Sequence, residues 1–204
     1  MTQQKWLLSL FGDRPGYFVE AGAHDGIGDS QTKWLEDRGW TGICVEPSSA
    51  FGLLARSRRC RVDSRCLWSA DGQAVRFWEV AGNGIELSGV AGCFADAWDR
   101  SKGRSVQKLT VTLKTLLAEH NAPPVFEYLC LDTEGSELEI LGAHDFTSYR
   151  FLAASIEHNG VEPKRTLTRR LLADLGYALE ARNPYPIEDW FVDLSLVSEP
   201  GHGV

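Results

Sequence analysis

The run Tyr17-Phe18-Val19-Glu20-Ala21-Gly22-Ala23-His24-Asp25-Gly26 constrains this chain more than any other stretch. Tyr17, Phe18 and Val19 are aromatic or β-branched, the side chains that suit a buried strand. Glu20 stands where that strand is expected to end. Gly22 and Gly26 let the backbone turn sharply and approach a ligand without a Cβ in the way. A helix pattern follows from about Ser30 to Arg38. Strand, glycine loop and helix, in that order, open a nucleotide-binding α/β fold.

A dinucleotide-binding loop needs G-x-G-x-x-G to bring backbone N–H groups onto a pyrophosphate. Here Ala23 and His24 follow Gly22, so the middle glycine is missing. An acid at the strand end also repels a pyrophosphate. It suits an ammonium or a sulfonium instead, and S-adenosylmethionine (SAM) carries both. Taken alone, the loop also reads as an ordinary tight turn with no ligand.

The pattern recurs. Trp40 to Pro47 reads as a second strand ending at Glu46, twenty residues beyond Gly26. That is the spacing at which an α/β nucleotide site places the acid that accepts from ribose hydroxyls, and a carboxylate can accept from two vicinal hydroxyls at once. Ser48 is an expected N-cap for a helix over 49–57. Arg61 to Trp68 reads as a third strand, whose end borders the adenine in such a fold. Residues 74–80 and 85–94 suggest a hairpin, 95–107 a mobile polar loop containing Trp98, and 113–120 a helix. Phe126 to Asp132 is a fourth strand ending in an acid, and Ser136 with Glu139 predicts a capping box for the next helix. Residues 151–157 form a fifth strand ending at Glu157, followed by His158, Asn159 and Gly160. A helix over 163–175 is expected to turn Leu167, Leu171, Leu172 and Leu175 inward. Residues 177–182 and 190–197 predict a closing antiparallel hairpin. Ligands of open α/β sheets bind outside the carboxyl ends of the strands, so acids at several strand ends mark one site.

The 204 residues suffice for one domain, with residues 1–16 as an N-terminal helix and turn, and no internal repeat is visible. A net charge of −7 disfavours a nucleic-acid partner held on a broad basic surface. Arg56-Ser57-Arg58-Arg59, the densest basic cluster, reads as a solvated helix face. No apolar run approaches the roughly 20 residues of a membrane span, and no signal peptide is recognised. The five cysteines form no C-x-x-C pair and read as free thiols of a reducing, cytoplasmic compartment.

With these stretches in place, the chain resembles the FkbM-like methyltransferases, a branch of the class I SAM-dependent methyltransferases. Phe18 to Gly26, Gly42 to Pro47 and Leu131 to Leu141 carry the likeness, with Ile156-Glu157-His158-Asn159 fitting more loosely. His24 departs from the family's usual Asn. The resemblance implies a doubly wound, Rossmann-like, mostly parallel seven-stranded sheet with an antiparallel last strand and helices on both faces. It implies SAM as methyl donor and transfer to a hydroxyl of a small molecule or sugar. Carried over, Glu20, Gly22, Ala23, His24 and Gly26 line the methionine part of SAM, and Glu46 binds the ribose. Arg65, Cys66 and Leu67 lie near the adenine, and Asp132 lies near the reacting methyl.

A hydroxyl acceptor must lose its proton, and Glu134, Glu157 and His158 are candidate bases. With Asp132 they offer an alternative, a divalent metal that lowers the hydroxyl pKa, although their spacing is no recognised metal signature. Two other readings remain open: a nicotinamide-dependent oxidoreductase, which Glu46 also suits, and a non-catalytic SAM-binding module. The acceptor pocket is expected from the segments near 82–107 and 183–189.

Overall fold

The computed structural model describes residues 1–28, 30–80, 82, 84–93 and 101–197. Helix α1 (Gln3–Phe11) starts where the Thr2 hydroxyl accepts from the Lys5 N–H and stops at Gly12, whose φ is 63°. Strand β1 (Tyr17–Ala21), helix α2 (Lys33–Glu36), strand β2 (Thr41–Val45), helix α3 (Phe51–Ser57) and strand β3 (Arg61–Asp63) follow. Next come β4 (Cys66–Leu67), β5 (Ala74–Val80), β6 (Gly89–Val90) and β7 (Gly103–Val111). The chain continues through α4 (Leu113–Glu119), β8 (Val125–Leu131), α5 (Glu137–Gly142), β9 (Arg150–Glu157), α6 (Lys164–Asp174), β10 (Tyr177–Leu179), β11 (Glu188–Asp193) and α7 (Leu194–Val197).

Seven strands form a mixed sheet in the order β10-β11-β9-β8-β1-β2-β3. β11 runs antiparallel to both its neighbours, and the remaining pairs are parallel. Alternation along each strand sends side chains to two cores. Val19, Ile43, Leu129 and Ala154 face one way, against Leu116 of α4, Ile140 of α5 and Leu172 of α6. Phe18, Cys44, Tyr128 and Ala153 face the other way, against Trp6 of α1, Leu35 of α2 and Leu54 of α3. Helices therefore cover both faces. Trp6 stacks on Trp190 of β11 with centroids 4.6 Å apart. Such a pair adds about 0.5–1.5 kcal/mol beyond its buried area, and here it fixes α1 to the sheet.

The structure departs from expectation in several places. The predicted third strand breaks in two because the Asp63 carboxylate accepts from the Arg65 N–H at 2.8 Å and turns the chain. Its second half, β4, joins a separate four-stranded sheet in the order β4-β7-β5-β6. The last part of the predicted polar loop, residues 103–107, belongs to β7, which pairs antiparallel with β5 from Ala74↔Leu109 to Val80↔Gly103. Arg104, Ser105 and Gln107 on it are exposed, and that polarity hid the strand. Trp98 lies outside the described residues. The helix predicted over 30–38 is only the four residues of α2. α3 starts at Phe51, with Ser48 Oγ accepting from Ala50 N. The capping box does not form: Ser136 makes no cap hydrogen bond. Leu167 is 42% exposed, so the apolar stripe of α6 is narrower than predicted. Arg58, read as a solvated charge, is buried at 7% exposure. All five cysteines are free. Among the described residues, no helix is long and apolar enough to cross a membrane.

Candidate functional site

The parallel strands bring their carboxyl ends to one edge, and register decides which residue stands there. Ala21 pairs with Val45 on one side and Leu131 on the other. Gly22, Glu46 and Asp132 therefore share the next level. Leu131 pairs with Ile156, which sets Glu157 level with Asp132, and Glu157 pairs directly with Glu188 of β11. A row of acids thus crosses β2, β8, β9 and β11, interrupted at β1 by Gly22.

Glu20 stands one residue short of this row. It pairs with Cys44 and Cys130, and the pleat turns it toward the core that holds Phe18. Its carboxylate accepts from Gln31 N at 2.7 Å, Thr32 Oγ1 at 2.5 Å, Ser30 Oγ at 3.0 Å and Arg58 Nη1 at 3.1 Å. Glu20 therefore anchors the loop after β1 from beneath and does not line the cavity above it.

That cavity has a volume of about 260 Å³. Ala21 to His24 border it beside Glu46 and Pro47. Cys66, Leu67, Phe77, Leu87 and Val90 give it an apolar wall contributed largely by the second sheet. Asp132, Glu134, Glu157 and Asn159 line it from the ends of β8 and β9. Three loop residues at this edge adopt left-handed backbone without being glycine: His24 (φ 50°), Glu134 (φ 58°) and Asn159 (φ 49°). Among the described residues the only other is Asn121, after α4. Strained backbone gathered at one cavity is a mark of function.

Each strained loop is held by a carboxylate. Glu46 accepts from His24 N at 2.9 Å and from Ser48 N at 2.7 Å, and burial raises its pKa. Glu137 accepts from Thr133 N, Thr133 Oγ1 and Gly135 N at 2.8–3.1 Å, which fixes the turn that carries Glu134. Glu157 accepts from Asn159 Nδ2 at 2.9 Å.

Asp132 and Glu157 lie level on neighbouring strands with carboxyl oxygens within 4.8 Å of each other, close enough for the two groups to share a proton. Burial is the main cause that raises both pKa values. Asp132 is pushed up to about 7. Glu157 goes further, under the additional negative charge of Asp132, Glu134 and Glu137. Asp132, Glu134 and Glu157 also bring one oxygen each to within 4.8 Å of one another, a spacing open to a hard divalent cation.

Other expected site residues lie elsewhere. Arg65 is turned away, closing on Asp63 at 2.6 Å and Glu119 at 2.5 Å. Gly26 packs under the loop, where a Cβ would meet Arg58 and Leu54 at 2.6 and 2.7 Å. Gly22 borders the cavity, but its missing Cβ makes room for the Asp132 carbonyl, 1.7 Å from where that Cβ would stand. His158 does not line the cavity: Nδ1 accepts from Gly160 N at 2.9 Å, and Nε2 lies 3.6 Å from Asp189. The sequence reading missed Arg58, Phe77, Val90, Asn159 and Glu188. Only Asn159, beside the acid-ended fifth strand, carried a local signal.

Comparison with known families matches residues 20–179 to the methyltransferase FkbM domain. No curated protein matches the chain. The matched span begins at Glu20, includes Glu46, Asp132, Glu134 and Glu157, and takes in well over half of the 204 residues. The chain therefore belongs to the FkbM methyltransferase family.

Proposed function

We propose that the protein is a SAM-dependent methyltransferase acting on a hydroxyl of a small acceptor. The observation that carries this reading is the row of acids along one cavity, with Glu46 and the Asp132–Glu157 pair on opposite sides of β1. The residues present fit SAM. Each Glu46 oxygen keeps a lone pair beyond those given to His24 and Ser48, enough to accept from two ribose hydroxyls. Cys66, Leu67, Phe77 and Val90 give an apolar wall suited to adenine. Asp132 and Glu134 line the same cavity with carboxyl groups, a chemistry that suits an ammonium and a sulfonium.

Bound SAM supplies an activated methyl group, so the protein must bind, orient and manage one proton. The Asp132–Glu157 pair is suited to that proton, because its raised pKa values bring it near the range of an effective general base. The proton leaving the acceptor oxygen passes to this pair. Glu134 adds negative charge beside it, and the strained turns hold all three groups in place.

The nicotinamide reading is less well supported. A pyrophosphate loop presents free N–H groups, whereas the His24 N–H is already given to Glu46. The test is incubation with methyl-labelled SAM and a panel of hydroxylated acceptors, read by mass spectrometry. Label on an acceptor oxygen supports the proposal. Tight SAM binding with no transfer to any acceptor would instead favour a binding module.

A further inference from the structure

A second cavity, of about 190 Å³, shares Asp132, Glu157 and Ile187 with the large one. Gln31, Tyr185 and Glu188 complete its wall. The two spaces therefore meet at the carboxyl pair to which the acceptor proton is assigned. Resting on the methyltransferase reading, we infer that this second cavity is the acceptor subsite and that it selects a hydroxylated acceptor carrying an ammonium group.

The charge around this cavity calls for a cation. Glu188 stands directly opposite Glu157 across antiparallel strands, and Asp132 lies level with Glu157 on the next strand. With one proton held between Asp132 and Glu157, that pair still keeps a negative charge beside the Glu188 carboxylate, and like charges across a sheet pair are destabilising. Neither cavity has a lysine or arginine among its described lining residues. The nearby cations are committed elsewhere. Arg165 and Arg169 close on Asp189, whose side chain alternates to the other face from Glu188. Lys164 binds the carbonyls of Gly135 and Cys93. A ligand ammonium supplies the missing countercharge.

The shape of the cavity also suits an alkylammonium. Tyr185 offers an aromatic face and Ile187 an aliphatic edge, both on the turn entering β11. That turn is fixed, with Asn183 Oδ1 accepting from Tyr185 N and Asn183 Nδ2 donating to the Glu188 carbonyl. An aromatic face beside carboxylates attracts an alkylammonium more than a neutral polyol.

The experiment uses protein saturated with S-adenosylhomocysteine. Amino alcohols are titrated against the polyols in which a hydroxyl replaces the amine, 2-amino-1,3-propanediol against glycerol among them, and binding is followed by ligand-observed NMR. The amino member is expected to bind about tenfold tighter, the factor that one cation–π or ion-pair contact supplies. Glu188→Gln keeps the acceptor for Trp190 Nε1 and removes the charge. It should erase most of that preference while S-adenosylhomocysteine affinity stays unchanged. Tyr185→Leu, at an exposed position, should weaken it separately. Equal binding of both members, binding of neither, or a preference that survives Glu188→Gln would overturn the inference. So would magnesium or manganese ions replacing the ammonium requirement. Failure of S-adenosylhomocysteine itself to bind would instead remove the methyltransferase reading on which the inference rests.

Discussion

Arg58 at the end of α3 sets Nη1 3.1 Å from Glu20 Oε2, and both side chains are almost wholly buried. Its Nη2 donates to Thr32 Oγ1, its Nε lies 3.4 Å from Glu36 Oε2, and its guanidinium lies over the Phe18 ring. One cation thus ties the end of β1, the loop beneath the cavity and α2 together.

Breaking that tie leaves a buried charge without a partner. Arg58→Met should destabilise the fold by about 3–5 kcal/mol, and Glu20→Gln/Arg58→Met should recover part of the loss. Urea unfolding of the single and double variants measures both. A single variant within about 0.5 kcal/mol of wild type would show that the pair is not structurally important.

Gly22 and Gly39 separate two uses of glycine. Both have positive φ, 82° and 87°. A Cβ at Gly39 meets nothing within 4 Å, whereas at Gly22 it would overlap the Asp132 carbonyl. Gly39→Ala should cost about 1 kcal/mol from backbone conformation alone. Gly22→Ala should cost several times more, or prevent folding, because strands β1 and β8 must part. Thermal melts of the two variants make the comparison, and equal losses would contradict it.

The strands were legible because aromatic and β-branched runs end abruptly in acids, glycine or proline. Which acid faces the cavity was not, because that depends on pairing register. Glu20 and Glu46 look alike in sequence, yet Glu20 falls one level short and points into the core. Arg58 was hidden for a related reason. A basic cluster reads as solvated until the fold supplies buried carboxylates on distant segments, here Glu20 and Glu36. β7 was hidden by its polarity, since it pairs along a sheet that leaves many of its side chains exposed. Glu188 gained its place only through the antiparallel register that sets it against Glu157.

Stability should carry the signature of the acid pair. Asp132 and Glu157 bind protons more readily folded than unfolded, so folding takes up protons. Their neutral forms are fully tolerated below the unfolded carboxyl range, near pH 4. Stability is then lost as pH rises through about 7 for Asp132, and beyond that for Glu157. Glu157→Gln should flatten this decline and make the protein more stable than wild type at mildly alkaline pH, by at least about 1 kcal/mol. Methyl transfer should fall in the same variant. Denaturant unfolding across the pH range tests the first statement, and an unchanged slope would contradict it.

The most direct test of the account is calorimetric titration of wild type and Glu46→Gln with S-adenosylhomocysteine and with NAD. Gln at position 46 keeps one acceptor but loses the second, which serves both the His24–Ser48 turn and the ribose. The account predicts that wild type binds S-adenosylhomocysteine and not NAD. It predicts that the folded Glu46→Gln variant binds roughly 10- to 100-fold more weakly, the range expected when hydrogen bonds to a charged group are lost. Wild-type protein that is folded and fails to bind S-adenosylhomocysteine, or that binds NAD in its place, would contradict it.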